Sequence, residues 1–248
     1  LNKQTKLCYI VHNIDFHEKW IFAKSLTKYA LKKADLLITL SESVYNNACR
    51  LFPKKKIIHG FHPVYNCYNF NKFTKVSAKS ELKLTGKKVI LFFGYIKQYK
   101  GLELLIRSLP DIVNKIENVH LLIVGEVYGD AKKYQNAIKE TGMEERVTFI
   151  NRFVKDEEIE LFFKVADVLA LPYISATQSG VVQIAYNMEL GAVATPVGSL
   201  AELVVDSKTG IIAEDVSKEA FADAIVRYFK LDQKKLIRNI KEENKKYS

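Results

Sequence analysis

The residues best suited to chemistry lie in two glycine-containing loops. The first, Gly94-Tyr95-Ile96-Lys97-Gln98-Tyr99-Lys100-Gly101, follows an apolar run and precedes an amphipathic one. Its glycines let the backbone approach a ligand closely, and Lys97 and Lys100 stand next to the helix that Gly101 opens, a combination that can bind a pyrophosphate. The second loop runs from Tyr173 through Ile174-Ser175-Ala176-Thr177-Gln178-Ser179 to Gly180 and Val181. A buried strand, Val168 to Leu171, ends just before it, Pro172 stops the ladder, and Thr177, Ser179 and Gly180 are residue types found at helix starts. First-turn N–H groups have no partner within a helix, and the dipole adds positive potential where an anion can sit. By residue type alone, an ordinary N-cap and solvated lysines account for both loops equally well.

Other chemistries find less support. A nicotinamide site wants G-x-G-x-x-G with an acid after the second strand, and only the acid, Glu126 after Gly125, is present. There is no G-x-x-x-x-G-K-[ST] and no G-x-S-x-G elbow. Cys8, Cys49 and Cys67 are odd in number and widely spaced, which reads as reduced thiols in a cytosolic protein. His12, His17, His59, His62 and His120 form no metal motif, so neither a metal nor a cofactor is expected. The net charge of +10 calls for an anionic partner, whether nucleotide phosphate, membrane surface or nucleic acid, or else reflects a solvated lysine surface. Nucleic acid is not expected, because the aromatics fall mostly in core patterns and no recognition motif interleaves them with arginine.

The elements that must position these loops follow an alternating rhythm. Short β-rich runs are each followed by an amphipathic segment, which means parallel strands with crossover helices, an α/β fold. Strands are expected at Lys6–Val11, Leu36–Leu40 and Ile57–Gly60, with a helix from about Glu18 to Lys33 carrying Phe22, Leu26 and Tyr29 at helical spacing, and another capped by Ser41. Residues 61–77 are Pro-, Asn- and aromatic-rich without period, as a crossing between domains would be. The boundary is placed at Tyr65: residues 1–65 form an incomplete first domain, and 66–248 a Rossmann-like one. Its strands are expected at Val89–Phe93, His120–Val124, Val147–Ile150, Val168–Leu171, Val193–Thr195 and Ile211–Ala213. Leu102, Leu105, Ile106 and Leu109 form one core face, and Phe221, Ile225, Tyr228 and Phe229 another. The chain starts without Met and stops in a lysine-rich helical pattern, so both ends are expected to be truncated and a final helix missing.

A succession of short motifs then points to a family. G-x(5)-K-G-L at Gly94–Leu102 is followed by Val124-Gly125-Glu126, Asn151-Arg152-Phe153, Leu171-Pro172-Tyr173 with Thr177-Gln178-Ser179-Gly180, Val197-Gly198-Ser199-Leu200-Ala201-Glu202 and Thr209-Gly210. In order and spacing this resembles the C-terminal domain of family-4 retaining glycosyltransferases of GT-B fold, and residues from Val11-His12-Asn13 to Pro63 resemble the end of that family's N-terminal domain. The resemblance implies that Lys100, with Gly94, binds the diphosphate of a nucleotide-sugar donor. Tyr95 stands where the family often has Arg, so Lys97 would supply the second charge. Asn151, Arg152 and Phe153 would flank the base through backbone groups, and Glu126 would join the donor site. Gln178, Ser179, Gly180 and Val181 would present N–H groups to sugar and phosphates. His12 matches a histidine facing the donor sugar.

One departure stands out. Many members carry two glutamates with seven residues between them around the opening helix, whereas the alternative registers here place Thr177 and Ala185, or Ala176 and Ile184, at those points. Thr177, Gln178 and Gln183 would then read sugar and ribose, with His12, Lys100 and Thr177 at the reacting centre. Transfer remains chemically accessible, because stabilising the leaving diphosphate and positioning the acceptor can drive it. The implied activity is transfer with retention from a UDP- or GDP-sugar to a saccharide or lipid-linked acceptor, in polysaccharide or glycolipid biosynthesis, in the cytoplasm or at the inner membrane face. This chain by itself would be inactive. A non-catalytic scaffold, or a basic domain held on anionic lipid by patches such as Lys32–Lys33 and Lys54–Lys56, are the alternatives.

Overall fold

The computed structural model describes residues 5–14, 22–61, 63, 65–176 and 179–247. Two parallel sheets organise it. The smaller comprises β1 (Cys8–Val11), β2 (Leu36–Thr39) and β3 (Lys56–His59) in the order β1-β2-β3, linked by α1 (Ala23–Lys33) and α2 (Glu42–Leu51). Ser41 caps α2 as its type predicts, its hydroxyl accepting from Val44 N–H at 3.4 Å. This unit has its own small core of Val11, Ile14, Leu31, Ala34, Leu37, Val44, Ala48 and Phe52.

The helical stretch expected from Glu18 is seen from Ala23, and residues 15–21 lie outside the described residues. Its regular apolar spacing does not mark a buried face. Phe22, Leu26 and Tyr29 are all exposed, and the inward side of α1 is formed around Leu31 and Ala34.

The crossing at residues 61–77 is more structured than its composition predicts. A 3-10 turn at Asn66–Tyr68 precedes α3 (Lys75–Glu81), whose Thr74 and Ser77 cap each other reciprocally. Two carboxylates anchor it from far along the chain. Fully buried Glu160 accepts from the N–H groups of Phe70 and Phe73 at 3.1 and 3.2 Å, and Asp167 pairs with Lys75 and Lys79, both at 2.7 Å.

The larger sheet has six parallel strands in the order β6-β5-β4-β7-β8-β9. In chain order come β4 (Lys88–Phe93), α4 (Leu102–Val113), β5 (Val119–Val124), α5 (Lys132–Thr141), β6 (Val147–Ile150), α6 (Asp156–Val165), β7 (Val168–Leu171), α7 (Gly180–Asn187), β8 (Ala192–Ala194), α8 (Leu200–Leu203), β9 (Gly210–Ile212), α9 (Lys218–Phe229) and α10 (Gln233–Asn244). Strands covered on both faces read as continuous apolar runs, and β5 and β7 are buried from end to end. α4 turns Leu102, Leu105, Ile106 and Leu109 into the same core that receives Phe221, Ile225 and Tyr228 of α9. From β4 the chain winds outward to β6, then returns to lay β7 on the other side of β4. The strand order therefore reverses between β4 and β7, which is where doubly wound sheets open a crevice at their carboxyl ends.

Candidate functional site

The two loops singled out by residue type leave β4 and β7, and so face each other across that reversal. Gly94 takes φ +98° directly after β4, a backbone conformation that glycine tolerates and other residues resist. The chain then extends by one isolated parallel bridge between Ile96 and Val127, with Ile96 N–H donating to Glu126 O at 2.8 Å and Tyr128 N–H to Ile96 O at 3.0 Å. A 3-10 turn at Gln98–Lys100 follows, and Gly101, at φ +66°, opens α4. A Cβ there would fall 1.8 Å from the carbonyl oxygen of Pro172, so the absence of a side chain lets the β4 loop lie directly against the β7 loop. Tyr99 O completes the join by accepting from Ile174 N–H at 2.7 Å.

This packing turns Lys100 back over its own loop. A Cβ built at Gly94 would meet Lys100 Nζ at 3.2 Å and Val181 Cγ2 at 3.9 Å, so Gly94, Lys100 and the first turn of α7 share one small volume. The ammonium is largely shielded from water, and among the described residues no carboxylate pairs with it. Burial first, and repulsion from Lys97 second, lower its pKa to about 8. Such a cation is stabilised by any anion that comes beside it. Lys97 is placed differently, its Nζ 4.8 Å from the centroid of the Tyr128 ring, and Tyr95 is exposed.

At the head of α7 the structure corrects one expectation. Ser179 occupies the N-cap position, yet its hydroxyl makes no capping bond and lies 3.3 Å from the hydroxyl of Tyr173, whose pKa burial pushes up to about 12. No side chain among the described residues therefore caps this helix start. Gly180 makes a different contact: a Cβ there would stand 3.0 Å from the Tyr65 ring, which packs over the start of α7. Thr177 and Gln178 lie outside the described residues. Gln183, expected to read the ribose, is wholly buried, with neither amide atom hydrogen-bonded or reaching solvent.

Beside Gly94, a groove of about 200 Å³ runs between Gly125–Glu126 and the segment after β6, floored by Phe93, Val154 and Ile159 and edged by Tyr68, Tyr95 and Phe153. Exposed Phe153 offers a flat apolar face to a planar ring. Asn151 does not face outward alone, since its Oδ1 accepts from Val127 N–H at 2.9 Å and ties the β6 loop to the β5 loop. Arg152 is spent on a two-pronged pair with Glu158, at 2.8 Å on one prong, and this pairing first of all holds Glu158 down to about 2. His12 is carried on the smaller sheet, exposed just past β1. Among the described residues no group of three or more His, Cys, Asp or Glu is placed to hold a metal ion, and no helix is long and apolar enough to cross a membrane.

Sequence reasoning missed Tyr65 and the Tyr173–Ser179 contact. A tyrosine in an aperiodic stretch gives no sign of a partner more than a hundred residues away, and a serine before a glycine looks like a cap whichever way its hydroxyl turns.

The family described as Glycosyl transferases group 1 matches residues 87–230, more than half of the chain and all of the loops just described. The chain belongs to this family. A relative described as an uncharacterized glycosyltransferase of Methanocaldococcus jannaschii is 29% identical over 182 residues, covering 71% of this chain and 46% of that protein. Among solved structures, sucrose-phosphate synthase from Thermosynechococcus elongatus superposes with a TM-score of 0.79 at 19% identity, over 96% of this chain and 62% of that one. Anabaena HepE in complex with UDP-glucose superposes with a TM-score of 0.76 at 20% identity, over 97% of this chain and 66% of that one. These likenesses show the fold, α/β of the GT-B type. This group 1 chain spans about half the length of the first curated relatives it matches.

Proposed function

We propose that this chain carries the donor half of an enzyme that moves a sugar from a UDP- or GDP-sugar to a saccharide or lipid-linked acceptor with retention at the anomeric carbon, in polysaccharide or glycolipid assembly. The observation that carries the reading is Lys100: a shielded ammonium without a carboxylate partner among the described residues, folded over Gly94 beside a helix start that no described side chain caps. When the bond between sugar and diphosphate breaks, negative charge grows on the leaving diphosphate. A fixed ammonium and first-turn N–H groups stabilise that charge more than they stabilise the intact donor. The groove against Phe153 takes the base, and Glu126 stands at its rim. His12 and Thr177 are assigned to the sugar. UDP is the first nucleotide to try, because the neighbour HepE was solved with UDP-glucose.

Calorimetric titration with UDP, GDP, ADP and NADH, side by side, tests the reading. One nucleoside diphosphate should bind saturably, and Lys100→Ala should weaken it by roughly ten- to a hundredfold, the worth of a charge-assisted contact. Binding of NADH alone would overturn it. The lack of an acid at Ala176, Thr177, Ile184 and Ala185 favours a second reading, a GT-B-like scaffold without turnover. Sugar transfer by the whole protein decides against that one.

A further inference from the structure

α1 presents an apolar stripe to solvent. Phe22, Leu26 and Tyr29, four and then three residues apart, are 70%, 60% and 66% exposed, while Leu31 and Ala34 hold the opposite side in the small core. Single exposed apolar residues need no explanation, but three large ones in line on a helix do. The helix Ala23–Lys33 carries four lysines and no acid. Lys28, Lys32 and Lys33 are exposed, and Lys33 Nζ lies 5.6 Å from the centroid of the Tyr29 ring, so charge borders the stripe directly. The Pro53–Lys56 turn is pinned to the end of the same helix, Lys55 donating to Lys32 O at 3.0 Å and to Ala34 O, which brings Lys54 alongside.

We propose that α1 is a membrane-docking helix that lies flat on an anionic lipid surface. Phe22, Leu26 and Tyr29 enter the boundary between headgroups and acyl chains, and the lysines meet lipid phosphates. An apolar stripe edged by one sign of charge has the chemistry of an in-plane interfacial helix. Charge complementarity selects the occupant: the lysines of α1, with Asp35 just past its end paired to Lys6, match a plane of negative charge that imposes no particular spacing, and they attract it within a Debye length before any apolar contact forms. Neither the residues nor the measurement is shared with the donor site, so the proposal stands or falls apart from it.

Flotation with vesicles tests it, using phosphatidylcholine mixed with phosphatidylglycerol and phosphatidylcholine alone. The chain should bind the mixed vesicles and not the neutral ones, and added salt should weaken the binding. Phe22→Ser, Leu26→Ser and Tyr29→Ser combined, and separately Lys28→Ala with Lys32→Ala, should each weaken it by roughly tenfold or more. All five positions are exposed, so circular dichroism and the nucleotide titration should be unchanged. The proposal fails if mixed vesicles are not bound, if neutral vesicles are bound equally, or if the serine variant binds as well as the parent. It also fails if the parent is a solution dimer that the serine variant dissociates, because a second copy would then own the stripe.

Discussion

At the scale of single residues, Lys100 makes the proposed donor site testable by pH. Its pKa of about 8 means that the folded protein loses this charge as pH rises through that value. If a diphosphate binds the charged form, as proposed, affinity should fall by up to about tenfold per pH unit above 8, with proton uptake on binding. Lys100→Arg, charged throughout, should flatten the profile, and a flat profile for the parent would place the phosphates elsewhere. In the unliganded protein the sign is opposite for folding: the depressed lysine costs stability at neutral pH, and stability recovers as pH climbs from about 8 toward the ordinary lysine range. Gly101→Ala strains a positive φ and drives a Cβ into Pro172 O, so urea denaturation should show a loss of at least about 1–3 kcal/mol. Lys100, Gly94 and Gly101 were legible because charge and glycine announce themselves by type. Gln183 was misread because type says nothing about depth.

At the scale of elements, two carboxylates, Glu160 within α6 and Asp167 just after it, hold the inter-sheet crossing. Glu160 is fully buried and satisfies two backbone N–H groups, so Glu160→Ala should cost about 2–3 kcal/mol and accelerate hydrogen exchange at Phe70 and Phe73. Asp167 is pushed up by burial but pulled further down by Lys75, Lys79 and the Val89 N–H, so its folded pKa is depressed. Its contribution is therefore present at neutral pH and lost as the solution is acidified through the folded value. Asp167→Asn should lower the melting temperature at pH 7 and leave it nearly unchanged in strong acid, measured by scanning calorimetry. The strand–helix alternation was readable because buried parallel strands must be apolar throughout. α3 was not, because a short helix held by a reciprocal Thr74–Ser77 cap and by remote carboxylates leaves no apolar period.

At the scale of the molecule, the two sheets have very unequal cores. Among the described residues, eight buried apolar side chains hold the smaller unit, whereas the larger encloses β4, β5, β7 and the inner faces of α4 and α9. Small cores are marginal, so hydrogen exchange should be faster in β1–β3 than in β4 and β5 by several orders of magnitude. Equal protection would mean that the units unfold as one. Across the gap, Glu42 N–H donates to Glu202 at 3.1 Å, joining the head of α2 to α8. The α/β class was legible in the chain's rhythm. The outward stripe of α1 was not, because helical spacing reports a stripe without saying which way it faces.

The rung between Ile96 and Val127 carries a practical rule for anyone re-engineering this scaffold. Since that rung and the Asn151–Val127 bond tie the segments after β4, β5 and β6 together, a loop grafted from another member of the family would arrive without its counterpart's hydrogen bonds. The three segments behave as one cassette, and chimeras should exchange them as a set.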